Sequence, residues 1–170
     1  YIQRMAGYSL TGSTREQVVI ICYGTGANGK TTLLVTFRRL WEDYGQEADA
    51  ESFMEQRSGG IREDIAALEG ARFVYAAETT DDKRLSEALI KKLTGGEQLR
   101  ARRLYENGYT FQPQFKVWLA TNHRPTIVGT EHAIWRRIRL IPFHVTIPDD
   151  ERDPDLPAKL EQELSGILAW

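Results

Sequence analysis

The 170 residues include a single cysteine, Cys22, which excludes an intramolecular disulfide framework and any cysteine-rich zinc site. The three histidines, His123, His132 and His144, stand at no metal-ligand spacing, and none reads as catalytic. No apolar run approaches the roughly 20 residues that span a bilayer, and no signal-peptide pattern opens the chain. These absences point to the cytoplasm. Repeats, low-complexity tracts and Pro/Gly-rich linkers are missing too, which leaves one domain over residues 1–170. Nor is there an excess of either charge. With 22 Lys and Arg against 24 Asp and Glu, the net charge is −2, so the domain as a whole does not attract nucleic acid.

What is present is ordinary globular material, 41% hydrophobic and 27% charged, enough for a core of its own. The chain starts at Tyr1 and stops at Trp170 within an expected helix over 156–170, as a piece of a longer polypeptide would. Charge is unevenly spread: Lys83 to Arg103 and Arg124 to Arg139 are locally basic, and Asp149 to Glu163 is acidic. A nucleic-acid site must therefore be a local patch facing a groove or channel.

The pattern along the chain alternates apolar strands with helices. A helix is expected over Ile2 to Leu10, ending at Thr11-Gly12-Ser13. Val18 to Tyr23 is a β-branched apolar run suited to a strand buried on both faces. Gly29 to Tyr44 reads as an amphipathic helix, Ile61 to Leu68 as a second and Leu85 to Leu93 as a third. Asp49 and Glu51 near Phe53 read as a solvated loop or edge strand. Arg72 to Glu78, Phe115 to Thr121 and Ile138 to Phe143 are further strands. Leu99 to Tyr105 and Tyr109 to Phe111 flank Asn107-Gly108, a strong short-range hairpin signal. The expected fold is α/β, a mostly parallel sheet flanked by helices, with an inserted β-hairpin.

Gly24-Thr25-Gly26-Ala27-Asn28-Gly29-Lys30-Thr31 fits the G-x-x-x-x-G-K-[ST] phosphate loop. Glycines let successive N–H groups converge on one anion, and the following helix adds its positive end. Lys30 is expected to reach the β- and γ-phosphates, and the Thr31 hydroxyl to ligate Mg²⁺, with Thr32 completing the cofactor-binding run. Hydrolysis also needs a carboxylate near the metal and the attacking water. Glu78 ends an apolar strand and is the candidate, for water and for the metal's outer shell. Asn122 ends the next strand and could hold water or the γ-phosphate. Arg136 and Arg137 are candidates for an arginine finger. Read alone, each has a plainer meaning: a solvated glutamate, a turn asparagine, paired surface arginines.

Together these residues resemble the signature motifs of superfamily 3 helicases, and more narrowly the phage/plasmid-type primase–helicase family that includes poxvirus members. The resemblance runs through Ala76-Ala77-Glu78, Leu93-Thr94-Gly95-Gly96, Ala101-Arg102-Arg103-Leu104-Tyr105, Asn122-His123, Trp135-Arg136-Arg137 and Ile141-Pro142-Phe143. It implies an AAA+-like P-loop NTPase, a homo-hexameric ring, ATP with Mg²⁺, and 3′-to-5′ movement on single-stranded DNA in a replication protein that can also carry a primase domain. It assigns Lys30 and Thr31 to phosphate and metal, Glu78 to the acid of motif B, and Asn122 to the sensor of motif C. Arg137, before Arg136, becomes the finger supplied by a neighbouring subunit. Two departures stand out: Ala77 precedes Glu78 where many related ATPases have a second acid, and Glu97 replaces an Asp.

Single-stranded DNA is expected at the hairpin, with Arg100, Arg102, Arg103 and Tyr105 as candidate contacts, and the resemblance adds Lys91, which with Arg102 matches the basic positions of a further motif between B and C. Arginines track phosphates and an aromatic ring stacks on any base. Strand alternation would send Arg100 and Arg102 to one face and Arg103 with Tyr105 to the other. Other readings are a nucleotide kinase, a GTPase, for which the guanine-reading Asn-Lys-x-Asp is missing, and a ring or loading module that binds ATP with little turnover.

Overall fold

The computed structural model describes residues 1–56, 62–77, 84–103, 105–124, 126–129 and 131–170. Its centre is five parallel strands: β1 (Val19–Tyr23), β2 (Gly45–Glu47), β3 (Phe73–Ala77), β6 (Lys116–Thr121) and β7 (Ile138–Pro142), in the order β2-β3-β6-β1-β7. Between β3 and β6 the chain inserts an antiparallel hairpin of β4 (Leu99–Ala101) and β5 (Tyr109–Phe111). Parallel neighbours need crossover connections rather than tight turns. These carry α2 (Lys30–Leu40), α3 (Glu63–Ala66), α4 (Glu87–Thr94) and α5 (His132–Trp135). Helix α1 (Ile2–Leu10) leads into the sheet, and α6 (Leu156–Gln162) and α7 (Leu164–Ala169) follow it. The expected α/β fold, a parallel sheet flanked by helices with an inserted hairpin, is what forms. No helix among the described residues is long and apolar enough to cross a membrane.

Because side chains alternate along a strand, the two faces of the sheet have separate cores. Ile20, Cys22, Phe73, Tyr75, Trp118 and Ala120 face one way, onto α1 and α2. There the Trp41 ring lies tilted against Phe73 at 4.3 Å between ring centroids, and Phe37 approaches Trp118 at 5.8 Å. Val19, Ile21, Val74, Ala76, Val117 and Leu119 face the other way, onto Ile65 of α3, Ile90 and Leu93 of α4, and the hairpin's Leu99 and Phe111. Helix α1 is tied to the aromatic face by polar bonds. The Trp118 indole N–H donates to Ser9 Oγ at 3.0 Å, and Lys116 Nζ donates to the Thr11 carbonyl. Arg72 donates to the Leu10 carbonyl at 3.0 Å. Two cations thus complete the carbonyl end of α1, where the helix dipole favours positive charge.

Several sequence expectations change. The helix expected over 29–44 ends at Leu40, and a 3₁₀ turn over Glu42–Tyr44 swings the chain into edge strand β2. Residues 50–53 form another 3₁₀ turn that buries Phe53 completely. The helix expected over 61–68 is shorter, Glu63–Ala66, before a turn to Gly70 (Ile61 lies outside the described residues). The C-terminal helix breaks at Glu163 into α6 and α7. The first hairpin strand stops at Ala101, so Asn107-Gly108 belongs to a longer connection over 102–108 rather than a two-residue turn.

Candidate functional site

Strand β1 delivers the chain to Gly24, and α2 begins at Lys30. Between them the backbone turns through left-handed conformations at Gly26 and at Gly29, the latter capping α2. Gly24 is required for space as well as for its φ of 156°: a Cβ there would sit 2.1 Å from the Phe143 carbonyl oxygen. The segment leaving β7 holds the loop from behind. Asn28 Nδ2 donates to the Phe143 carbonyl at 3.0 Å and Ile147 N–H to the Ala27 carbonyl at 2.8 Å, while from β6 the Thr121 carbonyl accepts from Gly24 N–H at 3.2 Å.

Lys30 is only 5% exposed. Its ammonium donates to the Gly24 carbonyl at 2.5 Å and to Asn28 Oδ1 at 2.9 Å, spanning the loop. Burial pushes its pKa below the usual lysine range, and the nearby Cys22 works weakly against that. Both acceptors are neutral, and no carboxylate among the described residues pairs with Lys30. A buried cation without a counter-charge favours an anion beside it.

A cleft of about 240 Å³ opens in front, lined by Gly26, Ala27, Asn28, Gly29, Lys30, Thr31 and Thr32 together with Ala77, Ala120 and Asn122. It lies beyond the carboxyl ends of β1, β3 and β6, where open α/β sheets take ligands. The strand order explains why these residues meet: β6 lies between β1 and β3, so Asn122 emerges between the Gly24–Thr31 loop and the end of β3. Asn122 is exposed. Glu78, next after Ala77, lies outside the described residues. Among the described residues no cluster of three His, Cys, Asp or Glu could hold a metal. A hard cation at this cleft would draw on the exposed Thr31 hydroxyl and on phosphate oxygens.

The arginine pair stands at the opposite end of the sheet, where the Arg137 carbonyl accepts from Val19 N–H at 2.9 Å. Arg137 is buried. It donates to Thr94 Oγ1 at 3.0 Å, the Ala133 carbonyl at 2.5 Å and Gln17 Oε1 at 3.4 Å. Burial and, second, the neighbouring Arg136 lower its pKa. Arg136 is exposed, with Nη2 2.5 Å from Gln17 Oε1. Neither reaches the cleft of its own chain.

At the hairpin the two-face alternation expected for the arginines does not apply. Only Arg100 is on a strand, because β4 ends at Ala101. Arg102 and Arg103 are exposed beyond it, and Tyr105 is 97% exposed at a φ of 62°. Arg103 turns to Glu69 at 3.0 Å and lies over the Tyr109 ring. Lys91 turns to Glu131 at 2.9 Å.

Sequence reasoning missed one feature. Glu87, Lys91 and Thr94 form a single stripe of α4 at helical spacing, and each grips the stretch leading to the arginines. Glu87 accepts from Gly129 N–H at 2.6 Å, Lys91 pairs with Glu131, and Thr94 accepts from Arg137. Gly129 is fitted to this contact, since a Cβ there would lie 2.2 Å from Glu87 Oε2.

Relatives among known proteins include three from large DNA viruses. The chain is 31% identical over 84% of its length to "Putative helicase L207/L206" of Acanthamoeba polyphaga mimivirus. It is 28% identical over its whole length to "Putative helicase 022R" of Frog virus 3. To "Putative primase C962R" of African swine fever virus it is 26% identical over 74% of its length. It spans only 15%, 19% and 13% of these relatives, respectively. Among solved structures, the NrS-1 C-terminal region aligns over 90% of this chain and 36% of its own, at TM-score 0.69 and 16% identity. JCV helicase aligns over 98% of this chain and 48% of its own, at TM-score 0.51 and 16% identity. At such identities the likeness bears on the fold, which is shared with helicase domains. Residues 22–137 match the model of DUF5906, a family of unknown function, and the chain belongs to that family.

Proposed function

We propose that this domain is the ATP-hydrolysing motor of a DNA helicase, of the AAA+-like superfamily 3 type found in phage- and plasmid-type primase–helicases, working as a ring on single-stranded DNA. The observation that carries the reading is the loop Gly24–Thr31. Its glycine turn, the start of α2 and the buried, uncompensated Lys30 converge on a cleft at the carboxyl end of a parallel sheet. The relatives named as helicases and a primase favour a replication role for that chemistry.

In this reading the backbone N–H groups of Gly26 to Lys30 bind the triphosphate of ATP. Lys30 leaves its contacts with Gly24 and Asn28 to meet the β- and γ-phosphates. Thr31 would hold Mg²⁺, with Glu78 in its outer shell, and the ion would neutralise charge building on the phosphate oxygens. Glu78 orients the attacking water, and Asn122 hydrogen-bonds it or the γ-phosphate. An arginine of the neighbouring copy enters from the far end of that copy's sheet, either Arg137 on leaving its contacts with Thr94, Ala133 and Gln17 or the exposed Arg136. Arg100, Arg102 and Tyr105 hold the strand at the hairpin.

The test is ATP turnover by the wild type and by Lys30→Ala, with and without single-stranded DNA, at two protein concentrations. Wild type should turn over faster with DNA and, per subunit, at the higher concentration. Lys30→Ala should lose at least about 100-fold, the scale for removing a positioned charge-stabilising group. A wild type without turnover, or a variant matching it, would reject the motor.

A further inference from the structure

Both arginines at the far end of the sheet converge on one uncharged atom. Gln17 Oε1 lies 2.5 Å from Arg136 Nη2 and 3.4 Å from Arg137 Nη2. Among the described residues, neither guanidinium has a carboxylate partner. We infer that Gln17 is a positioning residue for this pair, with Arg137 as its fixed anchor and Arg136 as the arm that reaches the neighbouring copy's ATP. This rests on the proposed function's trans arginine and adds which arginine moves and what holds it.

The two guanidinium groups differ in how firmly they are held. Arg137 is buried, and each of its three nitrogens is engaged: Nε on Thr94 Oγ1, Nη1 on the Ala133 carbonyl and Nη2 on Gln17. Thr94 is itself fixed, its hydroxyl donating to the Ile90 carbonyl at 2.7 Å. Withdrawing Arg137 would strand these acceptors, and an unmade buried hydrogen bond costs more than a made one gains. Arg136 is exposed, and Gln17 is its one side-chain partner among the described residues. Trp135, just before it, is 48% exposed, yet its indole N–H donates to the Gly129 carbonyl at 2.8 Å. Tryptophan is enriched among the residues that carry protein interfaces. Arg136 therefore stands beside a ring suited to meeting a second copy.

Gln17 sits where its own backbone resists it. Its φ is 52°, in the left-handed region, two residues before β1, and its N–H donates to the Thr14 carbonyl at 2.9 Å to close the turn. Glycine would suit that backbone better, so the turn alone does not call for a glutamine. Strain of this kind persists where the surroundings fix it and gathers at functional positions. The neutrality of the acceptor also matters. An amide oxygen orients a guanidinium without cancelling its charge, whereas a carboxylate there would bind roughly twice as strongly. It would also quench the charge that phosphoryl transfer needs.

The test compares wild type, Gln17→Glu, Gln17→Gly and Arg136→Ala in ATP turnover with single-stranded DNA, and in melting temperature without nucleotide. Gln17→Glu keeps the side-chain length. It should lower kcat at least about tenfold, leave KM for ATP within about twofold and melt no lower than wild type. Gln17→Gly relieves the strain, so it should also melt no lower, yet lose at least about threefold in kcat. Arg136→Ala should melt like wild type and lose at least about 100-fold. Mixing it with Lys30→Ala copies should restore turnover, because an intact loop then meets an intact arginine. A Gln17 variant or Arg136→Ala at the wild-type rate would overturn the assignment. So would a mixture no faster than its parts, or losses that follow a fall in melting temperature. A wild type without turnover rejects the motor and this assignment together; a wild type that turns over beside an equally fast Gln17→Glu rejects the assignment alone.

Discussion

The two faces of the central sheet are built from the same five strands and differ in almost everything they carry. One is aromatic, with Phe37, Trp41, Phe73, Tyr75 and Trp118 packed against α1 and α2. It backs the Gly24–Thr31 loop. On the other the strand residues are aliphatic, Val19, Ile21, Val74, Val117 and Leu119, under α3, α4 and the hairpin, and its rings, Phe53, Phe111 and Phe115, come from outside the central sheet. It backs a larger cleft between α4, the root of the hairpin and Met54. Large rings bring more buried area and preferred mutual geometry than aliphatic side chains. The face that must hold a lysine and a glycine turn in one place is therefore the one with the more directional packing. Hydrogen bonds to α1 and the carbonyl contacts of Lys116 and Arg72 add to it.

The strongest way to break this contrast is to cut adjacent residues of β6 that point to opposite faces. Trp118→Ala should cost about 3–5 kcal/mol and Leu119→Ala about 2–5 kcal/mol in urea unfolding, with Trp118 at the larger loss. The reverse order would mean that the aliphatic face carries the fold.

A smaller effect separates two glycines of the loop. Gly24→Ala places a methyl against the Phe143 carbonyl, whereas at Gly26 a Cβ would meet nothing within 4 Å and only the positive φ of 90° opposes it. Gly26→Ala should therefore cost about 1–2 kcal/mol of backbone strain. Gly24→Ala should lower the melting temperature further and remove binding of a non-hydrolysable ATP analogue. Equal effects would show that Phe143 yields readily.

Lys116 gives a gentler test. Burial, with Arg72 nearby, brings its pKa from 10.5 down to about 8. Between those values the unfolded chain binds the proton more tightly than the folded one, so stability should rise as pH climbs through that window and level off above it. Tyr75 and Cys22, both pushed up to about 12 by burial, tilt the other way. The measurement is therefore the wild-type stability minus that of Lys116→Met at each pH. A flat difference would place the ammonium in contact with water.

Much of the sheet was legible because doubly buried parallel strands leave continuous apolar runs, and β1, β3, β6 and β7 fall on those expected. The glycine turn before α2 was legible because its spacing is local. The end of α2 was not: neither Trp41 nor Glu42 is a helix breaker, and the turn after Leu40 is set by the docking of β2 beside β3. The hairpin's arginines read as a continuing strand, yet the ladder stops at Ala101 and Arg103 leaves it for Glu69. Lys91 and Lys92 are chemically identical, so only the rotation of α4 tells them apart. Glu87 sits in the first turn of α4, where an acid suits the helix N-terminus, and nothing local points to its partner Gly129, 42 residues away.

The stripe of Glu87, Lys91 and Thr94 makes α4 behave as a rail bolted at three successive turns to the stretch from Gly129 to Arg137. Lys92, on the same rail, forms part of the wall of the larger cleft, about 750 Å³, between α4, the root of the hairpin and the stretch around Met54. A displacement of the arginine-bearing stretch that keeps the bolts in place must carry that wall with it, so the far end of the sheet and the larger cleft are coupled for as long as these three contacts hold.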